Sequence, residues 1–179
     1  SNLEFDLDKG VTVEFWMKKD GFESTSAAMY EYIFNNYSVS AINSEYFSIQ
    51  AVGSLGQAQF FLTIFRSSEA TVSITLNTGL TSIADGVFHH YAITLKKSGT
   101  KTIANIYVDG AHVERVEDSD TVSAFTGSLN GAIGASGHLT TGITEGLANI
   151  VSSSFDEFRY WKTERDAQQI GRYYRDQIG

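Results

Sequence analysis

The residues of this chain that could do chemistry are a few carboxylates, two adjacent histidines and a large stock of aromatic rings. Glu4, Asp6 and Asp8 are spaced two apart, so on a strand they would share one face at about 6.6 Å per step. Two carboxylates about 5–5.5 Å apart can cleave a glycosidic bond with retention. Lys9-Gly10 follows at once, however, and the trio reads instead as a solvated strand edge. His89 and His90 are neighbours, and neighbours on a strand point to opposite faces, so they cannot chelate one ion together. With His112 and His138 distant in the chain, they read as structural histidines. Calcium takes 6–8 oxygens from side chains and backbone carbonyls. Asp156-Glu157 is the best placed pair for it, where a glycine-containing stretch returns into a strand. Only one of the two side chains should face such a site. Asp156 is therefore the candidate metal ligand, with carbonyls of 136–154 completing the shell; the plainer alternative is that it accepts hydrogen bonds from loop amides.

Twelve Phe, nine Tyr and two Trp supply flat apolar faces, the surfaces on which sugars stack. Tyr30, Tyr32, Tyr37 and Tyr46 cluster in a segment dense in Asn and Ser. Rigid rings provide contact area and amides adaptable hydrogen bonds, a pairing suited to polar ligands. The candidate ligand-binding residues are Tyr30, Asn35, Asn36, Tyr37, Asn43 and Tyr46, although the same composition also describes an ordinary strand-rich surface. Signatures for a serine-hydrolase elbow, a phosphate-binding loop or a dinucleotide fingerprint are missing. The glycines between 131 and 137 read as a strand entering a loop.

These residues must be positioned by strands. Val11–Lys18 alternates strictly, with Val11, Val13, Phe15 and Met17 on one face and Thr12, Glu14, Trp16 and Lys18 on the other, the pattern of a half-buried strand. Trp16, on the non-core face, is expected to be covered by another layer, such as a C-terminal helix. Further strands are expected at 31–35, 46–52, 59–66, 71–76, 88–96, 102–108, 112–117, 132–135 and 155–161. Many short strands at near-regular spacing mean a sandwich or barrel. Asp109-Gly110 between Ile106-Tyr107-Val108 and Ala111-His112-Val113 supplies the positive φ that a type I′ hairpin turn demands. One helix is expected over 166–177, capped by Asp166 with Gln169 three residues on, and apolar at Ala167, Ile170, Tyr174 and Ile178. The stretch 136–154 reads as a long surface loop.

At 179 residues, 42% hydrophobic, the chain is long enough for one ordinary domain with a sizeable core. A net charge of −8 argues against nucleic acid as a partner, and no apolar run approaches the ~20 residues of a membrane helix. Without cysteine there are no disulfides, zinc–thiolate sites or thiol nucleophiles.

Three stretches together resemble one family. Val11-Thr12-Val13-Glu14-Phe15-Trp16-Met17-Lys18 is similar to the T-I-E-F-W-V-K strand of laminin-G-like domains in the concanavalin A-like lectin/glucanase superfamily. Gly86-Val87-Phe88-His89-His90-Tyr91-Ala92-Ile93-Thr94, then Ile106-Tyr107-Val108-Asp109-Gly110, resembles their G-x-W-H-H-V-A-V-T and L-Y-V-D-G pair. Phe155-Asp156-Glu157-Phe158-Arg159-Tyr160-Trp161, then Arg165-Asp166-Ala167-Gln168-Gln169-Ile170, resembles I-D-E-V-R-I-W with R-S-x-x-E-I. The order and spacing hold over nearly the whole chain. Phe88 stands where the family has Trp. The family's opening F-D-G-x-x-D-Y strand, which often helps to bind calcium, is absent or displaced, and the E-x-D-x-x-E motif of the glucanases is missing.

The resemblance implies an all-β fold, a two-sheet antiparallel jelly-roll sandwich with one C-terminal helix, over 1–179 as a single domain. It implies a non-catalytic binding or adhesion module that recognises a glycan or cell-surface ligand through loops 20–30, 35–45 and 136–154. Structural calcium is the one cofactor expected. Partners are the glycan or surface ligand, other domains of the same parent protein and further copies of the chain, with no membrane insertion; the setting is extracellular, cell-surface or virion. The alternatives are an assembly domain that packs protein on protein and, further behind, a glycoside hydrolase.

Overall fold

The computed structural model describes residues 2–22, 29–38, 45–53, 58–135 and 150–176. The period-two pattern resolves into strands β1 (Val11–Lys18), β2 (Met29–Ser38), β3 (Glu45–Gly53), β4 (Gln59–Arg66), β5 (Val72–Asn77), β6 (Phe88–Ser98), β7 (Lys101–Val108), β8 (Ala111–Asp118), β9 (Leu129–Ile133) and β10 (Ser154–Trp161), followed by helix α1 (Ala167–Tyr173). They form two five-stranded sheets, β10-β1-β6-β7-β8 and β5-β4-β3-β2-β9. Every ladder is antiparallel. This is the jelly-roll sandwich expected from the sequence.

Side chains alternating inward from both sheets make the core. Val11, Val13, Phe15 and Met17 of β1 are buried as their spacing requires, opposite Phe47, Ile49 and Ala51 of β3 and Phe60, Leu62 and Ile64 of β4. Phe15 meets Phe60 and Phe158 at ring separations of 6.0 and 6.1 Å, and Phe60 meets Tyr91 at 5.0 Å. An ion pair lies inside: Lys19, just after β1, reaches Glu31 of β2 with Nζ 2.6 Å from Oε2, and both side chains are sealed from solvent. Lys19 also donates to the Ser152 carbonyl at 3.2 Å and lies over the Phe22 ring.

The outer face of the first sheet is covered. Asp166 accepts from the Gln169 amide while the Gln169 side chain accepts from the Asp166 amide, a complete capping box that starts α1 where expected. The helix ends at Tyr173, sooner than 177, and Ile178 lies outside the described residues. Ile170 is its buried residue and packs with Ala92 and Tyr107. Thr12 and Glu14 are consequently buried too, so β1 is covered on both faces instead of one. Thr12 Oγ1 donates to the Thr163 carbonyl and accepts from the Arg165 amide. The expected Asp-Gly hairpin is present, with φ of 51° at Asp109 and 79° at Gly110. A Cβ at Gly110 would stand 2.6 Å from the Tyr174 ring, so this glycine is required both by the turn and by the chain end packed against it.

Strand β9 lies at Leu129–Ile133, earlier than the expected 132–135, because its partners are residues 34–38 of β2 and Gly134, with φ of 78°, turns the chain away. Between residues 2 and 10 there is no full strand among the described residues. Phe5 makes a two-bond bridge with Phe125, and both Phe5 and Leu7 enter the core. Glu4 Oε1 accepts from the Gly127 amide and Asp6 Oδ1 from the Asp8 amide, so these carboxylates tie turns and do not line a groove.

Candidate functional site

The outer face of the second sheet carries rings, amides and hydroxyls, its rings exposed or half-buried around a buried polar centre. Its residues follow from the register. In one row across the strands stand Asn130, Tyr37, Tyr46 and Phe65; in the next Ala132, Asn35, Ser48, Thr63 and Ser73. Then come Tyr32, Gln50, Phe61 and Thr75, and finally Tyr30, Val52, Gln59 and Asn77. Adjacent strands are about 4.8 Å apart, so rings on neighbouring strands form nearly continuous strips. Tyr46 and Phe65 stack at 5.5 Å, and Tyr30 meets Phe61 edge-on at 5.8 Å. None of these outward positions is charged, in a chain that carries 13 Lys and Arg and 21 Asp and Glu. Burial raises the Tyr46 phenol above its ordinary range and the nearby Tyr32 phenol adds to the rise, so Tyr46 keeps a neutral hydroxyl at physiological pH.

A bulge assembles this face. The β2–β3 register shifts between Tyr32 and Phe34, and Ile33 and Phe34 both enter the core. Before it the even-numbered Tyr30 and Tyr32 point outward, and after it the odd-numbered Asn35 and Tyr37. Asn35 and Ser48 therefore face each other mid-sheet, between the Tyr37–Tyr46 and Tyr32–Gln50 rows. They are 1% and 0% exposed, and neither the amide atoms of Asn35 nor the hydroxyl of Ser48 has a hydrogen-bond partner. An unsatisfied buried polar group costs about 1–3 kcal/mol.

Of the candidate ligand-binding residues, the structure brings Tyr30, Tyr37 and Tyr46 onto this one face and sets Asn35 beneath its surface. Asn36 is corrected: one step along the strand turns it inward, where Nδ2 donates to the Leu3 carbonyl at 2.9 Å. Asn35 and Asn36 lie inside a ten-residue strand, not at the start of a loop. Asn43 lies outside the described residues. Of the three expected loops, 20–30, 35–45 and 136–154, residues 23–28, 39–44 and 136–149 lie outside the described residues. Among the rest, Lys18 pairs with Phe88 and Ser154, and Met29 with Gly53, at one end of the sandwich, whereas Tyr37 pairs with Tyr46 near the other. Sequence reading missed Phe61, Phe65, Gln50 and Ser48. The available signal was Gln59-x-Phe61-x-Thr63-x-Phe65, whose alternation sets a polar and aromatic face against the apolar Phe60, Leu62 and Ile64.

Asp156 lies on the other sheet. The β1–β10 register slips between Glu14 and Trp16, and Glu157 takes a left-handed φ of 48°. This bulge overturns the expectation that Asp156 and Glu157 oppose each other, because both line a cleft of about 420 Å³ beside Trp16, Phe88 and the chain end at Tyr174. The Trp16 indole donates to the Tyr174 carbonyl at 3.3 Å, so the ring is half covered by the segment after α1, as expected. Asp156 Oδ1 accepts from the Glu157 amide, and Glu157 Oε2 lies 3.0 Å from the Arg159 guanidinium. Among the described residues no three acidic or imidazole side chains converge, and residues 136–149, whose carbonyls are expected to complete a calcium shell around Asp156, lie outside them. His89 and His90 point apart. His89 bridges Asp109 at 2.7 Å and Asp85 at 3.1 Å, whereas His90 lies under the chain end with Nε2 3.5 Å from buried Glu14.

Comparison with known proteins agrees with this architecture. A laminin-G family model, described as concanavalin A-like lectin/glucanases superfamily, matches residues 1–171. No curated protein matches the sequence. Solved structures of the same fold include a heptameric SAP-like pentraxin from Limulus polyphemus, 17% identical with a TM-score of 0.55, covering 94% of this chain and 70% of that one. Domains LG4-5 of the mouse laminin alpha1 chain are 14% identical with a TM-score of 0.58, covering 91% of this chain and 38% of that one. The NanB sialidase of Streptococcus pneumoniae is 14% identical with a TM-score of 0.62, covering 96% of this chain. This chain spans 26% of that sialidase.

Proposed function

The chain belongs to the laminin-G-like family of the concanavalin A-like lectin/glucanase superfamily, and from that premise we propose that it is a non-catalytic glycan-recognition module that binds on the outer face of its second sheet. The supporting observation is the uncharged strip of Tyr30, Tyr32, Tyr37, Tyr46, Phe61 and Phe65, interleaved with Asn35, Ser48, Gln50 and Thr63. Sugar rings have apolar C–H faces that lie flat on aromatics and hydroxyls that need amide and hydroxyl partners. This face offers both at strand spacing. Most glycoside hydrolases cleave with two carboxylates flanking the bond, and the outward positions of the second sheet's described strands carry none. The sialidase activity of one structural neighbour is no guide to this chain, which spans about a quarter of its length.

The module operates outside the cell as one part of a larger protein, the setting that the laminin neighbour supports. Among the described residues no helix is long and apolar enough to cross a membrane. The test is binding to a panel of soluble polysaccharides by affinity electrophoresis. Tyr32→Ala and Phe61→Ala should each weaken retention about tenfold or more, with an unchanged circular-dichroism spectrum. If the folded double variant were retained as strongly as the parent, the sheet face would not be the binding site.

A further inference from the structure

Resting on the reading that the second sheet binds glycans, we infer that its ligand is a neutral glycan chain, and that Asn35 and Ser48 are the groups that select it by accepting and donating hydrogen bonds to its hydroxyls. Three observations carry this. First, among the described residues the face holds no cation with which to meet a carboxylate or sulfate. Arg66, beside Phe65 in β4, has the opposite parity and is tied to Glu45 at 3.0 Å and Glu69 at 3.1 Å. Second, the whole chain carries a net charge of −8, so a polyanion approaching an uncharged strip on it is repelled and finds no local compensation. A neutral polymer meets no such barrier.

Third, buried polar groups are almost always paired, yet Asn35 and Ser48 are unpaired side by side in the middle of the strip. They lie between the half-buried rings of Tyr32 and Tyr46 and are closed to solvent, so a hydroxyl that parts those rings on binding would find a donor and acceptors already fixed by the strands. The amide of Asn35 can donate and accept, and the Ser48 hydroxyl can do either. That is the complement of an alcohol and not of an anion, which needs donors alone. A site built to hydrogen-bond a hydroxyl also discriminates strongly against ligands that lack one there, because its own groups are then left unpaired.

Affinity electrophoresis and calorimetry with neutral polysaccharides (β-glucan, mannan, galactan) and polyanionic ones (polygalacturonate, heparin), at low and high salt, test the inference. At least one neutral chain should be retained with a salt-insensitive affinity, and the polyanions should not be retained. Replacing both orphaned groups, Asn35→Leu with Ser48→Ala, should lower affinity for the neutral chain about tenfold while leaving the melting temperature unchanged or raised. Removing unsatisfied polar groups does not cost stability, so a merely structural role would not separate the two readouts. Ser48→Ala alone serves if the double variant does not fold. Retention of a polyanion as tight as that of any neutral chain overturns the inference and leaves glycan binding standing. Unchanged affinity in the folded variant overturns the role of Asn35 and Ser48. Failure to retain any polysaccharide overturns the glycan reading itself, and this inference with it.

Discussion

The two outer faces of the sandwich are built from the same alternation and have opposite fates. On the first sheet the outward row of β1 is Thr12, Glu14 and Trp16, and it is closed over by the segment 161–176. Its charges are buried and matched, Glu14 to the Arg165 guanidinium, which also lies over the Trp161 ring at 4.7 Å. On the second sheet the outward rows hold rings, amides and hydroxyls, no charge, and two polar groups with no partner. The covered face has unpartnered atoms of its own, Glu14 Oε2, the His90 ring nitrogens, Arg159 Nε and Trp161 Nε1, but they lie among charges and under the segment that closes over them. What separates the two faces is charge and cover: the first is charged and closed over at β1, the second is uncharged and shows its rings.

The contrast can be broken most forcefully on the covered side. Arg165→Ala leaves Glu14 buried without its cation and should cost about 3–5 kcal/mol in urea unfolding, whereas Thr75→Ala on the open face should stay within about 0.5 kcal/mol. Burial alone would raise the Glu14 carboxyl, but His90 and Arg165 outweigh it and hold the group below the usual carboxylate range. That contribution is therefore present above the unfolded value and is lost as pH falls through the folded one. Loss of the helix cap comes next: Asp166→Ala should cost about 1 kcal/mol and loosen the cover over Trp16, seen as a change in tryptophan emission. The smallest effect is at His89. Burial opposes its charge, yet the bonds to Asp109 and Asp85 prevail and raise it above 6.5. Its contribution is full below the unfolded value and disappears as pH rises through the folded one. His89→Gln should accordingly lower the melting temperature at pH 5.5 and leave it nearly unchanged at pH 8.5.

The covered side was the more legible in sequence. Val11–Lys18 alternates without interruption, Asp109-Gly110 can form little but a tight hairpin, and Asp166 with Gln169 marks the helix start. The family motifs fall on β1, β6, β7 and β10, all in that sheet. The open face was hidden by one inserted residue. With the bulge after Tyr32, residues on both sides of it share a surface although their parity differs, so Asn35 and Asn36 looked equivalent and loop-like when one is under the face and the other in the core. A second bulge, at Glu157, misdirected the reading of Asp156 in the same way. A single-residue insertion leaves no compositional trace, and nothing in the pattern of residue types reports it.

The ion pair of Lys19 and Glu31 carries a consequence for how the layers are stacked. Greasy pleated surfaces can slip past one another by a side chain and still exclude water. A charge sealed between them tolerates only the offset at which its counterpart arrives, since any other strands both in oil at a cost of several kcal/mol per ion. Lys19 belongs to the chain leaving one layer and Glu31 to the first strand of the other, so this bond acts as a dowel that fixes the alignment of the two halves, and with it the place of every ring on the open side.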